Sequence, residues 1–260
     1  MKKLLLTAIA FLLVLALLAG CSMPQTDLPV ASETTGSATE PTAETAPAET
    51  EEDTEYEGDA SSYYIDEVYP QQIARYYTAL SQQWDESAYF EHELSPLAAY
   101  YYDGNPLDNV GFTFMDLDGD GIWELIIGAI RNAELDPLVF EIWTLKNDEP
   151  VMVAQSGARN RYYLQYAEED DLWSVAYEAE NGAANRAVYY LQLVEGEFEV
   201  MQGIVFDAFA NPDAPWFMAY DLDWDVSNDT PIDEDTANAV MNAERNIYAA
   251  QAYSPYSQYK

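Results

Sequence analysis

Asp116-Leu117-Asp118-Gly119-Asp120-Gly121-Ile122-Trp123-Glu124 is the stretch whose reading decides the fold. Carboxylates stand at its first, third and fifth positions, a glycine at the sixth, and a fourth carboxylate at the ninth. A hard cation such as calcium takes about 6–8 oxygen ligands, and alternate Asp side chains supply several of them from one turn. Three carboxylates packed this tightly repel one another unless positive charge sits among them. Gly121 permits a bend that a residue with a Cβ resists. Ile122 offers its backbone carbonyl, and Glu124 closes the set. The expected ligands are Asp116, Asp118, Asp120, Ile122 and Glu124. The flanks, Phe112 to Met115 and Trp123 to Ile127, are short runs of β-formers, so the spacing predicts strand–loop–strand. The competing reading is an acidic turn whose carboxylates are solvated.

The loop resembles the DxDxDGxx(D/E) calcium loops of integrin-type and FG-GAP β-repeats. The resemblance covers nine residues; it implies a bound calcium and a hairpin, not a whole propeller. An EF-hand needs a bidentate Glu at its twelfth position, where Ile127 stands here, and a helix on each side.

On the N-terminal side of the loop, Pro70 suits the first turn of a helix. Ile73, Tyr76, Tyr77, Leu80 and Trp84 then recur at helical spacing as one apolar stripe. A second helix is expected from Glu86 to Leu94. It carries His92, the sole histidine, read as a surface or capping residue. Ser95-Pro96 breaks that segment, Leu97 to Tyr102 adds a turn of helix, and Asp103 to Pro106 is a loop.

On the C-terminal side an antiparallel meander is expected. Its strands are Leu138 to Leu145, Val151 to Gln155, Arg161 to Tyr166, Trp173 to Glu178, Ala187 to Val194 and Phe198 to Phe206. Lys146-Asn147-Asp148, Asn181-Gly182 and Glu195-Gly196 supply turns, and Asn181-Gly182 is the stronger hairpin signal. An echo at an offset of 49 aligns Val139-Phe140 and Ile142 with Val188-Tyr189 and Leu191. Two copies cannot close a propeller ring, so they read as two similar hairpins in one sheet. Asp233 is the expected N-cap of a last helix, Glu234 to Ala249, with Val240, Ala243 and Ile247 facing inward. Residues 61–260 thus read as a single α+β domain: N-terminal helices, a β-meander sheet and a C-terminal helix.

Ahead of that domain, Met1-Lys2-Lys3 is positive, Leu4 to Leu18 is apolar, and Leu18-Ala19-Gly20-Cys21 follows. The run falls short of the roughly 20 apolar residues a spanning helix needs. It resembles a bacterial lipoprotein signal with its lipobox. The resemblance implies a signal peptide over 1–20, a lipid on Cys21, and anchorage on the extracellular face of the cell membrane. Cys21 is the only cysteine, so no disulfide forms within one chain. Residues 21–60 read as a Thr/Glu/Pro-rich tether with eleven acidic residues and no Lys or Arg. Such a stretch cannot bury enough apolar surface to offset its chain entropy. The arrangement of lipobox, tether and acidic-loop domain resembles secreted lipoproteins of Gram-positive bacteria.

The formal net charge is −37, and from residue 61 onward eight basic residues face thirty-six acidic ones, a net −28. Nucleic acid and anionic lipid surfaces are repelled by such a field, and cations are attracted. Asp221, Asp223, Asp225 and Asp229 repeat the one–three–five–nine spacing, with Val226 where the glycine would be. They read either as a second cation site, as a loop lending a ligand to the first, or as a solvated loop capping the last helix. Tyr162-Tyr163 and Tyr189-Tyr190 read as sheet packing, and Arg159 and Arg161 as partners of nearby carboxylates. No nucleophile arrangement, zinc-spaced histidine pair or phosphate loop is present, so no catalytic residue is assigned. The sequence points to a calcium-stabilised binding module for an extracellular ligand or protein. The alternative is an extracellular hydrolase using paired carboxylates on glycan or peptide.

Overall fold

Alternating side chains along Val110–Met115 (β1) and Glu124–Ala129 (β2) send one set of residues to each face of a hairpin. Phe112 and Ile127 pair on one face, Thr113 and Ile126 on the other. The structure, a computed structural model, describes residues 60–130, 137–169 and 172–259. The expected signal peptide, Cys21 and all but the last residue of the expected tether lie outside the described residues. No helix among the described residues is long and apolar enough to cross a membrane.

The hairpin belongs to an antiparallel sheet of eleven strands with a few helices, so the fold is α+β and mostly β. The meander runs β3 (Leu138–Lys146), β4 (Glu149–Gln155), β5 (Asn160–Ala167), β6 (Leu172–Glu180), β7 (Asn185–Val194) and β8 (Glu197–Asp207). The sequence misses β9 (Trp216–Ala219) and the two-residue strands β10 (Thr230–Pro231) and β11 (Ser254–Pro255). In space the order is β10-β9-β8-β7-β6-β5-β3-β2-β1-β11, with β4 paired to β3 off that path.

The two echoed hairpins, β3–β4 and β7–β8, lie in this one sheet, and each carries a bulge, at Ile142/Trp143 and at Tyr190/Leu191. Bulges bend a strand and increase its twist. The sheet curls far enough for the two hairpin tips to meet: Lys146 pairs with Glu197, and Thr144 comes near Gly196. Glu195-Gly196 makes the tight turn, with φ of +50 and +73 and Val194 facing Glu197 directly. Asn181-Gly182 instead opens a longer loop, since β6 and β7 pair last at Glu180 and Arg186. The stronger dipeptide signal therefore marks the looser connection.

Helices and the C-terminal tail cover one face. Pro70–Ser81 buries Ile73, Tyr76, Ala79 and Leu80. Tyr77 is 37% exposed, which corrects its place in the stripe, and Trp84 lies past the helix end, stacked on His92. Glu86–Glu91 is shorter than expected and is capped by Asp85, whose carboxylate accepts from Ala88 N–H. Pro96–Tyr101 is a 3-10 turn, and Pro106–Asn109 is a helical turn that begins at the last residue of the expected loop. The last helix, Glu234–Arg245, stops short of Ala249 and has Asp233 at its N-cap, accepting from Thr236 N–H at 2.7 Å. It packs with Ala237, Val240 and Met241; Ala243 is exposed, so the inward face is rotated from the expected one.

One buried carboxylate ties the helices to the sheet. Glu141 of β3 is fully buried. Its Oε1 accepts from Tyr76 Oη at 2.8 Å, Ser95 N–H at 2.9 Å and Gln155 Nε2 at 3.1 Å. Its Oε2 accepts from Trp143 Nε1 at 2.9 Å. Burial pushes its carboxyl up, and those donors work against the rise. A raised folded value means the folded state holds the proton more tightly than the unfolded chain. That contribution to stability is whole below about 4.5, the ordinary value, and is lost as pH rises through the folded value. Glu141→Ala strands these donors and is expected to cost about 3–5 kcal/mol in urea denaturation. The gap between wild type and variant is expected to narrow as pH rises from about 4.5.

Candidate metal centre

β1 ends at Met115 and β2 begins at Glu124, so the acidic stretch is the connecting loop. Gly119 and Gly121 have φ of +77 and +88, a region strained for residues with a Cβ. They fold the loop back over its own carboxylates. Asp116 accepts from Gly119 N–H on Oδ1 at 2.7 Å and from Gly121 N–H on Oδ2 at 3.0 Å. Asp118 Oδ1 accepts from Asp120 N–H at 3.3 Å, and Asp120 Oδ1 from Ile122 N–H at 2.7 Å. These short-range bonds aim the side chains at one point. One carboxylate oxygen from each of Asp116, Asp118 and Asp120 lies within 4.8 Å of the other two. Asp116 and Asp118 are half-buried and Asp120 is exposed.

The donor set is chemically suited to a hard divalent cation. It is all oxygen, carries three negative charges, and each carboxylate oxygen keeps a lone pair beyond its N–H bond. The ion pairs Lys146–Glu197 and Arg245–Glu178 lie elsewhere in the fold. Partial burial pushes the Asp118 carboxyl above its ordinary value, and Asp120 beside it pushes further.

Glu124 is placed differently. It stands at the base of the loop, fully buried, outside the converging group of three. Its Oε2 accepts from Leu117 N–H at 2.8 Å and its Oε1 from Thr144 Oγ1 at 2.8 Å. Burial pushes its carboxyl up to about 7, against the pull of those two donors. Glu124 thus fastens the loop to β3 as well as occupying the ninth position of the motif. Ile122 sits beside the three aspartates through its N–H on Asp120.

Sequence reasoning missed the aromatic clamp on the loop's exit. Trp123 N–H donates to Tyr64 Oη at 2.9 Å, and Tyr69 Oη donates to the Trp123 carbonyl at 3.1 Å. The Tyr64 ring lies parallel to the indole, with centroids 5.6 Å apart. The contact spans 59 residues, and no local pattern announces it. Thr144 was likewise missed; its position opposite Glu124 follows from the β2–β3 register.

The second acidic stretch forms no such group of three, although partial burial and then the charges of Asp221, Asp223 and Asp225 push the Asp229 carboxyl above its ordinary value. Among the described residues the only group of acids close enough to share an ion is Asp116, Asp118 and Asp120. Asp221, Asp223 and Asp225 each accept from the backbone N–H two residues on, which builds a turn. Trp224 and Val226 pack onto the sheet, and Tyr189 Oη donates to the Asp223 carbonyl. The helix cap is Asp233 instead. No family model, no curated protein and no solved structure matches the chain.

The two kinds of carboxylate are expected to separate under mutation. With chelator present, Glu124→Ala leaves Leu117 N–H buried without its acceptor and is expected to cost about 2–3 kcal/mol. Asp118→Asn under the same conditions relieves repulsion and is expected to be neutral or mildly stabilising. Urea denaturation of both variants measures the contrast.

Proposed function

We propose that the chain is a surface-tethered binding module whose edge hairpin is pinned by calcium. The carrying observation is the convergence of Asp116, Asp118 and Asp120 within 4.8 Å at the turn of β1 and β2. These three, with the Ile122 carbonyl and Glu124, would hold the ion. Glu124 retains lone pairs beyond its bonds to Leu117 and Thr144. Bound calcium would neutralise the crowded charge and stiffen the loop; extracellular modules bind it at about 10⁻⁴–10⁻³ M. The tether reading rests on the sequence of residues 1–60: a lipobox-like signal, Cys21 as the lipid carrier, and an acidic segment that gives reach from the membrane. The acidic balance disfavours nucleic acid as a partner. Among the described residues the cavity beside the loop offers one carboxylate, Asp66, so they lend no support to a paired-carboxylate hydrolase.

Calcium at ten times its dissociation constant stabilises a folded state by about 1.4 kcal/mol. For a domain of this size that raises Tm by about 3–5 °C. The rise is expected for the wild type by thermal denaturation with calcium against chelator, and is expected to vanish in Asp116→Asn. An equal Tm in both conditions removes calcium from the account.

A further inference from the structure

Among the described residues the outer edge of β1 is only partly covered. β11 pairs with Gly111 and Phe112 and then ends, while β2 pairs along the whole of the other edge. Thr113, Phe114 and Met115 therefore carry no strand on their outer side among the described residues. A cavity of about 430 Å³ opens here, and Phe112, Thr113 and Phe114 all line it. Phe112 and Phe114 point to one face of the sheet and Thr113 to the other. A single cavity touching all three meets the strand at its edge, where backbone N–H and C=O groups face outward. Ser254 and Pro255, where β11 stops, form one end of the cavity; Trp123 and Tyr259 add aromatic walls. Asp66, exposed, lines it as well, and among the described residues no Lys or Arg does.

We propose that this edge receives an extended peptide as an added strand, with a basic side chain of the peptide set against Asp66 and the aromatic walls. Strand addition supplies main-chain hydrogen bonds, and alternate side chains enter pockets beside the edge. A Lys or Arg head gains from Asp66 and from nearby aromatic faces. The net −28 of residues 61–260 draws a basic segment in and turns an acidic one away. The proposal names the ligand class of the binding module above and rests on that reading, but the open edge does not require the ion.

Fluorescence anisotropy of the full chain with a labelled peptide alternating lysine and threonine tests this. Saturable binding is expected, weakening roughly tenfold from low to high salt and roughly threefold or more in Asp66→Asn. A peptide alternating glutamate and threonine is expected not to bind. Two further lysine–threonine peptides carry N-methyl groups on alternate backbone amides, one set on the lysines and one on the threonines. With lysine held toward Asp66, only one set of amides faces β1, so one methylated peptide loses binding and the other keeps it. Parent-like binding by both, equal binding of the glutamate peptide, or binding of a neutral glucan oligomer with no response to the lysine peptide overturns the proposal. The same titrations run with calcium and with chelator, beside melting curves. A Tm indifferent to calcium with the methylation contrast intact sinks the metal alone; the reverse pattern sinks the peptide alone.

Discussion

The edge of this sheet turns on one buried carboxylate. Glu124 holds Leu117 N–H with one oxygen and the Thr144 hydroxyl with the other, so the acidic loop is anchored to β3 at its base. Without that anchor the loop would be a polar excursion between two strands. With it, three aspartates are presented at a fixed place, each aimed by backbone N–H groups of its own turn. The arrangement concentrates negative charge in a rigid frame, which is what a cation exploits and what an empty loop must tolerate.

A second buried carboxylate plays the same part deeper in the fold. Glu141 gathers Tyr76, Ser95, Gln155 and Trp143, and so joins the helical cover to β3 and β4. Among the described residues Glu141 has hydrogen-bond donors and no cation as partners. Its donors are three neutral side chains and one backbone N–H, so the group is satisfied by hydrogen bonds while burial resists its ionisation. The fold thus carries two anchoring acids on adjacent strands, at the loop base and under the helices.

Much of the architecture was legible because it is local. Strand alternation from Leu138 to Phe206 located six strands, and Asp233 announced the last helix. Of the three strands missed, two have little sequence of their own: β10 and β11 have two residues each and each includes a proline. They exist because β9 and β1 offer them an edge. Asn181-Gly182 does lie in the β6–β7 connection, but a favourable turn dipeptide does not fix loop length: the strands pair last at Glu180 and Arg186, whereas Val194 and Glu197 face each other directly. At the site, the aspartate spacing was readable and the inward role of Glu124 was not. A signal for the anchoring acids did exist: Glu141 interrupts the apolar run Leu138 to Leu145, and a charge inside such a run has to find donors. The Tyr64 and Tyr69 clamp on Trp123 had no such signal, since it joins segments more than 50 residues apart.

Isothermal titration of calcium into the metal-free full chain addresses the central claim most directly. One ion per chain is expected, with the heat abolished when Asp116, Asp118 and Asp120 are together replaced by asparagine. An absence of heat from the wild type, or the same heat from the triple variant, would contradict it.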